Sequence, residues 1–225
     1  MESNIILKKR TFNKFNPMIV GEISCNHKGN INFAKKLIYT AKKAGFDAVK
    51  LQTFKPENIT LNSNKRDFRL SHVKNKNWSN YDNYYNIYKR AYTPWEWLPE
   101  LIKYAKKNDI IIFSSPFDET AVDYLEKHKC PIYKIASPEI NHEPLISKVA
   151  KTNKPIFIST GVASLQEISS AIKIIKKNGN SKIVLLKCNS SYPAKEENMN
   201  LLNIEYLSKK FNVSTGLSDH TKSNL

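Results

Sequence analysis

The chain has 225 residues, of which 40% are hydrophobic, and a formal net charge of +16. This length allows one sizeable core, and the composition is that of a globular rather than a disordered protein. No apolar run approaches the roughly 18 residues of a membrane span, and residues 1–17 lack the apolar stretch of a secretory signal. We therefore expect a soluble, cytoplasmic protein with no membrane partner.

The basic charge is spread along the whole chain rather than concentrated in one segment. Several lysines fall on helical stretches that should face water, among them Lys35, Lys42 and Lys106. A solvated helix face explains them better than a nucleic-acid site, for which residues 81–92, rich in Tyr and Lys, are the one candidate. We expect no nucleic-acid partner, although a basic field would help to collect an anionic substrate.

Three cysteines are present, Cys25, Cys130 and Cys188, and no pair has metal-binding or redox spacing. Their odd number argues against a disulfide framework and fits a reducing compartment. Because all three lie near predicted strand ends, we expect buried, unreactive thiols rather than a nucleophile.

Short β-rich runs alternate with helical patterns along the chain. The predicted strands are residues 18–24, 47–53, 110–115, 132–137, 155–161, 182–188 and 212–219. The predicted helices are residues 30–45, 94–108, 119–128, 142–152, 164–179 and 200–211. Asn30 is a candidate N-cap, and Ser164 with Glu167 has the spacing of a capping box. The polar residues 54–91 are too many for an ordinary connection, and such stretches are usually functional or mobile.

This alternation predicts a parallel α/β sheet, either open and doubly wound or closed as an eight-stranded barrel. The runs are nearly continuous in Val, Ile and Leu, which is typical of strands buried on both faces. The pattern alone favours the barrel only mildly. No glycine-rich phosphate loop follows the first strand, which argues against a dinucleotide-binding fold.

Polar residues gather where each predicted strand ends. They are Glu22, Asn26 and His27; Lys50 and Gln52; Ser114 and Ser115; Lys134, Ser137 and Glu139; Ser159 and Thr160; Asn189, Ser190 and Tyr192; and Ser218, Asp219 and His220. In a barrel these ends converge on the face where active sites are built.

The residue types in this set suggest an anion site. Lys50 and Lys134 lie inside apolar runs, where a lysine is costly unless it is paired or meets an anion. With the serine hydroxyls they would form a cradle for a phosphate and a carboxylate. Glu22 and Glu139 are candidates for proton transfer or for binding sugar hydroxyls, and His220 for a metal ligand or an acid–base group.

The ordered motifs resemble the N-acetylneuraminate (sialic acid) synthase family from about residue 17 to residue 222. The segments that carry the resemblance are GEISCNH, DAVKLQTF, FSSPFD, YKIASPE, ISTGVASLQEI, SSYPA and GLSDHT. The segment AYTPWEW (residues 91–97), with ITLNS before it and TAVDYLE after it, resembles the pseudaminic acid synthase branch.

The resemblance implies a TIM (β/α)8-type barrel followed by an antifreeze-like domain that caps a partner's site in a homodimer. It implies condensation of phosphoenolpyruvate with an open-chain N-acetylated amino sugar, dependent on Mn²⁺ or Mg²⁺. For the pseudaminic branch the sugar is 2,4-diacetamido-2,4,6-trideoxy-altrose, and the products are a nonulosonic acid and phosphate. In the neighbouring branches the product is N-acetylneuraminate or legionaminate.

The resemblance also assigns residue roles. The positions that match phosphoenolpyruvate-binding positions are Lys50, Ser115, Lys134, Ser137, Ser159 and Ser218. The positions that match the sugar side are Glu22, Gln52, Ser190 and Tyr192. Glu22, Glu139 and His220 are the implied catalytic residues, and His220 is one of two metal-binding histidines. Ser115 stands where many relatives have threonine, and Ser190 where some have asparagine.

The departure from the family pattern lies at the carboxyl end. Seven of the eight barrel strands are predicted in residues 1–225, and the second metal histidine and the antifreeze-like domain have no counterpart here. A TIM barrel takes roughly 250 residues. We therefore expect a partial synthase barrel, either a fragment of a longer protein or the product of a truncated gene.

Three alternatives to a synthase remain open from the residues alone. The first is a non-catalytic remnant that binds phosphoenolpyruvate or other anions without completing a metal site. The second is another barrel lyase or aldolase in which Lys134 or Lys50 forms a Schiff base. The third is a basic nucleic-acid-binding protein.

Overall fold

The computed structural model describes residues 5–7, 10–70 and 82–222. Residues 71–81, which belong to the long polar stretch, lie outside the described residues. They include the first residue of the candidate nucleic-acid segment, residues 81–92. The contacts divide the chain into two compact units. Unit A is Ile19–His128, and unit B runs from Lys129 onward and includes the segment before residue 19.

An N-terminal hairpin precedes the alternating elements. Strand β1 (Ile5–Leu7) pairs antiparallel with β2 (Arg10–Phe12), and Ile5 lies opposite Phe12. Phe12 is buried. This hairpin was not predicted, because strands of three residues are too short to show a periodicity.

Unit A contains three parallel strands in chain order. They are β3 (Val20–Ser24), β4 (Ala48–Thr53) and β5 (Ile111–Pro116). The helices are α1 (Ile31–Lys43), α2 (Pro56–Ile59), α3 (Tyr84–Ala91), α4 (Leu98–Lys107) and α5 (Glu119–Lys127). All six residues of β5 are buried, as predicted for a strand covered on both faces.

The long polar segment of unit A contains the short helices α2 and α3, which the sequence analysis did not predict. Pro56 opens α2 at a position where its missing N–H has no helical partner. The Asn83 side chain caps α3 by accepting from the Asn86 backbone N–H. A 3₁₀ turn, Trp95–Trp97, then leads into α4, so the predicted start near Pro94 falls about one turn early.

Unit B contains four parallel strands in chain order. They are β6 (Tyr133–Ile135), β7 (Ile156–Ser159), β8 (Ile183–Cys188) and β9 (Ser214–Ser218). The helices between them are α6 (Glu143–Lys151), α7 (Leu165–Lys177) and α8 (Asn203–Phe211). The fourth predicted strand ends early, at Ile135, because Ser137–Asn141 forms a 3₁₀ helix.

Local signals located the helix ends well. The Asn30 side chain accepts from the N–H groups of Asn32 and Phe33 and begins α1, as predicted. The capping box of α7 is confirmed, since the Ser164 hydroxyl accepts from the Glu167 N–H and the Glu167 carboxylate accepts from Ser164. Within the described part of the chain, every helix is too short or too polar to cross a membrane.

Candidate functional site

Four predicted residues lie together in unit A, and we call them the Lys50 cluster: Glu22, Lys50, Gln52 and Ser115. Lys50 and Gln52 are two residues apart on β4 and so share one face of the strand. The strand register sets Glu22 beside Lys50 and Ser115 beside Gln52. The Lys50 ammonium forms an ion pair with the Glu22 carboxylate and lies 3.5 Å from the Ser115 hydroxyl oxygen.

The burial of this ion pair is unequal. The Lys50 side chain is 13% exposed, whereas the Glu22 side chain is 46% exposed. Lys50 therefore depends on its partners for charge compensation, while water solvates part of Glu22. An incoming anion could replace Glu22 as the counter-ion of Lys50.

Cys25 fixes the orientation of the Gln52 amide. A bulge between Glu22 and Ser24 shifts the register of β3, and the Cys25 thiol donates to the Gln52 side-chain oxygen at 3.2 Å. Burial, reinforced by the Glu22 charge and only partly offset by Lys50, raises the pKa of Cys25 to about 12. The thiol therefore keeps its proton, which agrees with the prediction of an unreactive cysteine.

A second group lies in unit B, and we call it the Lys134 cluster: Lys134, Ser137, Glu139, Gly161, Cys188, Ser218 and His220. Lys134 lies on β6 and is only 6% exposed. Glu139 follows on the 3₁₀ helix, where burial raises the pKa of its carboxyl, although its own backbone N–H and the Lys134 charge act in the opposite direction. Among the described residues the Glu139 Oε2 atom is buried with no hydrogen-bond partner.

Gly161 brings the backbone after β7 into this cluster. Its N–H donates to the Ser137 hydroxyl at 2.9 Å. A Cβ at this position would lie 2.5 Å from the Ser190 hydroxyl oxygen and 3.1 Å from the Cys188 sulfur. Glycine is therefore needed here for a close approach of backbone and side chains.

Cys188 joins the hydroxyl groups of the cluster to His220. It ends β8 opposite Ser218 of β9. Burial raises the pKa of its thiol, but hydrogen bonds to His220, Ser137 and Ser218 and the His220 charge outweigh burial and lower that pKa to about 7. An inert thiol was predicted at this position, but Cys188 differs from Cys25 because polar groups surround it.

The tautomer of His220 follows from its contacts. Its Nδ1 lies 2.7 Å from the Asn189 backbone carbonyl, which only accepts, so Nδ1 carries a proton. The pKa of His220 is raised, chiefly by its hydrogen bond with Cys188 and against burial. The Tyr192 ring lies 4.1 Å from the imidazole between ring centroids, and Tyr192 is 75% exposed. In the neutral imidazole, Nε2 is left with a free lone pair.

This geometry suits His220 to ligate one metal ion. A backbone carbonyl that accepts from Nδ1 orients many metal-binding histidines. The described residues nevertheless contain no group of three His, Cys, Asp or Glu side chains that could hold a metal. The described part of the chain therefore supplies one imidazole and not a complete metal site.

Ser159, like Glu139, has a buried polar atom without a hydrogen-bond partner among the described residues. It ends β7, is 2% exposed, and its hydroxyl has no partner among the described residues. Buried hydroxyls are normally paired, and an orphaned one calls for an explanation such as a ligand. Ser190, by contrast, is exposed, and its hydroxyl lies next to Gly161.

Several other polar residues at strand ends have structural contacts instead. Ser114 is hydrogen-bonded to Thr53 at 2.7 Å between buried hydroxyl oxygens. The Thr160 hydroxyl donates to the Leu186 carbonyl. Asp219 accepts from the Thr221 backbone N–H, and His27 is fully buried. The sequence pattern could not separate these residues from the two clusters.

The comparisons with known proteins agree with the motifs. The NeuB family model matches residues 37–225. The chain is 45% identical over 205 residues to the pseudaminic acid synthase of Helicobacter pylori, covering 91% of this chain and 59% of that protein. It is 38% identical over 208 residues to the N,N'-diacetyllegionaminic acid synthase of Campylobacter jejuni, covering 91% of this chain and 61% of that protein.

A solved structure shows the fold class. The N-acetylneuraminic acid synthetase of Leptospira borgpetersenii, in complex with citrate, superposes with a TM-score of 0.84 and 29% identity over 99% of this chain and 72% of that one. The predicted TIM-barrel type of α/β fold is thereby confirmed. The chain spans about three fifths of the curated relatives, and it belongs to the NeuB family.

Proposed function

We propose that this protein condenses phosphoenolpyruvate with the open-chain aldehyde of a diacetamido sugar, giving pseudaminic acid and phosphate. Two largely buried lysines, one in each cluster, are the observation that supports this reaction. Lys50 and Lys134 each lie on a strand of the sheet, largely buried, in a cluster with serine hydroxyls. Each cluster therefore suits an anionic group of the kind that phosphoenolpyruvate carries.

The proposed reaction forms one C–C bond and breaks one C–O bond. C3 of phosphoenolpyruvate attacks the aldehyde carbon, and the aldehyde oxygen takes up a proton to become a hydroxyl. Water adds at C2, the C2–O bond to phosphate breaks, and a 2-keto acid and phosphate remain. Hydrogen-bond donors that are already in place stabilise charge in such steps, because they need no reorganisation.

We assign the anion to the lysines and to Ser115, Ser137, Ser159 and Ser218. The orphaned Ser159 hydroxyl supports this assignment, because an oxygen of phosphate or carboxylate would accept from it. Glu22 and Gln52, with Ser190 and Tyr192, are assigned to sugar hydroxyl and acetamido groups. Hydrogen bonds to ionised partners are roughly twice as strong as neutral ones, so the anion should supply most of the affinity.

Glu139 is the candidate for proton transfer to the aldehyde oxygen. Burial raises the pKa of its carboxyl, which keeps the acid form available at higher pH than for an exposed glutamate. His220 would hold the metal through Nε2. A bound Mn²⁺ or Mg²⁺ would polarise the aldehyde.

A Schiff-base mechanism at Lys50 is disfavoured by its contacts. The Lys50 nitrogen is held in an ion pair with the Glu22 carboxylate, and it would have to leave that contact before it could attack a carbonyl carbon. Borohydride reduction in the presence of substrate tests this alternative for both lysines. A mass increase on Lys134 or Lys50 would support the lyase and count against the synthase.

The assay for the proposal is phosphate release from phosphoenolpyruvate with Mn²⁺, offered 2,4-diacetamido-2,4,6-trideoxy-altrose and N-acetylmannosamine in parallel. Release with the diacetamido sugar alone supports the pseudaminic branch. Release with N-acetylmannosamine would keep the reaction but change the sugar, and the legionaminate precursor serves as a third substrate because of the similarity to that synthase. Release with none of them would favour the non-catalytic remnant.

We place this activity in the cytoplasm, and we propose a homodimer for the full-length enzyme. The three cysteines are free thiols, which fits a reducing compartment. Sedimentation of the purified protein tests the dimer.

A further inference from the structure

His27 is the one buried histidine in the described residues that the proposed chemistry does not use. It lies in the turn between β3 and α1 and is 0% exposed. Its Nδ1 accepts from the Gly29 backbone N–H at 3.1 Å, and its Nε2 lies 3.1 Å from the Thr93 hydroxyl oxygen. Its ring packs edge-on against Trp97 at 5.3 Å between centroids.

These contacts determine both the charge and the tautomer of His27. Since a backbone N–H donates to Nδ1, that nitrogen carries no proton, so the single proton is on Nε2 and is donated to Thr93. Burial also lowers the pKa of His27, which favours the neutral ring. The imidazole is therefore a fixed bridge from the β3–α1 turn to Thr93, with donor and acceptor both in use.

Two residues after Thr93, Trp95 makes a second contact, with the residue that follows β4. The Trp95 indole N–H donates to the Phe54 carbonyl at 3.2 Å. Phe54 directly follows β4, two residues after Gln52. Phe54 and Trp95 are thus held together, and His27 connects Thr93, two residues before Trp95, to the turn that follows Glu22.

The segment of residues 82–97 packs over the end of β4 through Tyr88 and Trp95. The Tyr88 ring of α3 meets the Phe54 ring edge-on at 5.9 Å between centroids, and Phe54 also meets Phe117 at 5.5 Å. The segment therefore lies beside the strand ends that present Glu22 and Gln52, the residues assigned to the sugar. A shift of the segment would alter the space beside those two side chains.

We propose that His27 is a positioning residue for sugar recognition: through Thr93 it holds residues 82–97 against the ends of β3 and β4. This inference rests on the proposed function for its effect on the sugar. Strand pairing holds the backbone of all four residues of the Lys50 cluster, so loss of the bridge should change only the space beside the strand ends, where the sugar is assigned. Loss of the bridge should therefore weaken the sugar side selectively.

The test uses substitutions at both ends of the bridge. Thr93→Val removes the acceptor at nearly constant volume, whereas Thr93→Ser keeps the hydroxyl. His27→Asn keeps an acceptor near the position of Nδ1 and loses the reach to Thr93. His142→Asn is the control, because His142 is exposed and its side chain makes no capping hydrogen bond.

Two measurements are made on each variant. We expect the KM for the diacetamido sugar to rise about tenfold in Thr93→Val and His27→Asn, while the KM for phosphoenolpyruvate stays unchanged. In Thr93→Ser, both KM values should equal those of the wild type. Amide hydrogen exchange across residues 82–97 should be about tenfold faster in the same two variants and normal in Thr93→Ser and His142→Asn.

The outcomes separate this inference from the proposed function. Equal rises in both KM values, or no rise in either, would overturn the positioning role even in a fully active enzyme. If the wild-type protein has no synthase activity, the proposed function fails, and the exchange data decide whether the bridge holds the segment. Unchanged exchange in Thr93→Val would refute the bridge.

Discussion

At the scale of single residues, the two clusters differ in how each lysine is compensated. Lys50 has a carboxylate that is partly in water, and the nearby Cys25 keeps its proton. Lys134 is buried near Glu139, whose pKa burial raises, and in the same cluster Cys188 joins two serine hydroxyls to the His220 imidazole. The first cluster can exchange its counter-ion, while the second offers donors and a carboxylic acid.

The first prediction concerns the charge of Lys50. Lys50→Gln should lower the affinity for phosphoenolpyruvate roughly ten- to a hundredfold, since a hydrogen bond to a charged group contributes about 1.5–3 kcal/mol. Calorimetric titration measures the affinity. Lys195→Gln is the control, because that side chain is 77% exposed. The fold should survive, because Glu22 remains partly hydrated, and an unchanged affinity would remove Lys50 from the anion site.

The second prediction concerns the carboxyl of Glu139. Its pKa is raised in the folded chain, so its contribution to stability is fully present below the ordinary pKa of glutamate. That contribution is lost as the pH rises through the folded pKa. Glu139→Gln, which is neutral at every pH, should therefore match the wild-type Tm near pH 4 and exceed it near pH 8.

Thermal unfolding from about pH 4 to about pH 8 measures this difference. The exposed Glu196→Gln is the control and should show no such trend. If the Tm of Glu139→Gln fell below that of the wild type as the pH rose, the carboxylate would be paired in the folded chain. In that case Glu139 would not serve as the acid.

At the scale of elements, the local signals were the most predictable part of the fold. Asn30 and the Ser164–Glu167 pair were identified because a cap involves residues three apart in the chain. The strands were identified because buried parallel strands are continuous in apolar residues. The α3 helix was missed because tyrosines provide much of its apolar face. The polar composition of the segment indicates a loop, although the spacing of its tyrosines is helical.

The third prediction concerns the capping box of α7. Ser164→Ala should lower the free energy of unfolding by about 1 kcal/mol, because the Glu167 N–H loses its acceptor. Urea unfolding measures the change. Ser170→Ala, on an exposed position of the same helix, should be neutral or slightly stabilising because alanine favours helix. Equal losses in the two variants would mean that the cap does not stabilise the chain.

At the scale of the whole molecule, strand pairing determines which residues come together in each cluster. The sequence identified Lys50, Lys134 and His220 from their positions at strand ends. It did not identify Gly161 and Cys188, because their roles depend on the register that brings Cys188 beside Ser218 and on the close approach at Gly161. It also grouped His27 with the site residues, because the burial of that ring depends on Thr93 and Trp97, which lie more than sixty residues away in the chain.

The fourth prediction concerns the net charge of +16. A basic field should speed the encounter with an anionic substrate and should be screened by salt. We therefore expect kcat/KM for phosphoenolpyruvate to fall several-fold between about 0.02 M and about 0.3 M salt, with kcat nearly constant. Steady-state kinetics at constant free Mn²⁺ measures this effect. A salt-independent kcat/KM would show that the basic residues keep the surface hydrated but do not attract the substrate.

The most direct test of the central claim follows the bridging oxygen of phosphoenolpyruvate. Substrate labelled with ¹⁸O between C2 and phosphorus is converted in the presence of the diacetamido sugar and Mn²⁺, and both products are analysed by mass spectrometry. The proposed condensation predicts one phosphate for each nonulosonic acid, with the label in the phosphate. Label retained in the sugar acid, or phosphate released without any sugar, would contradict it.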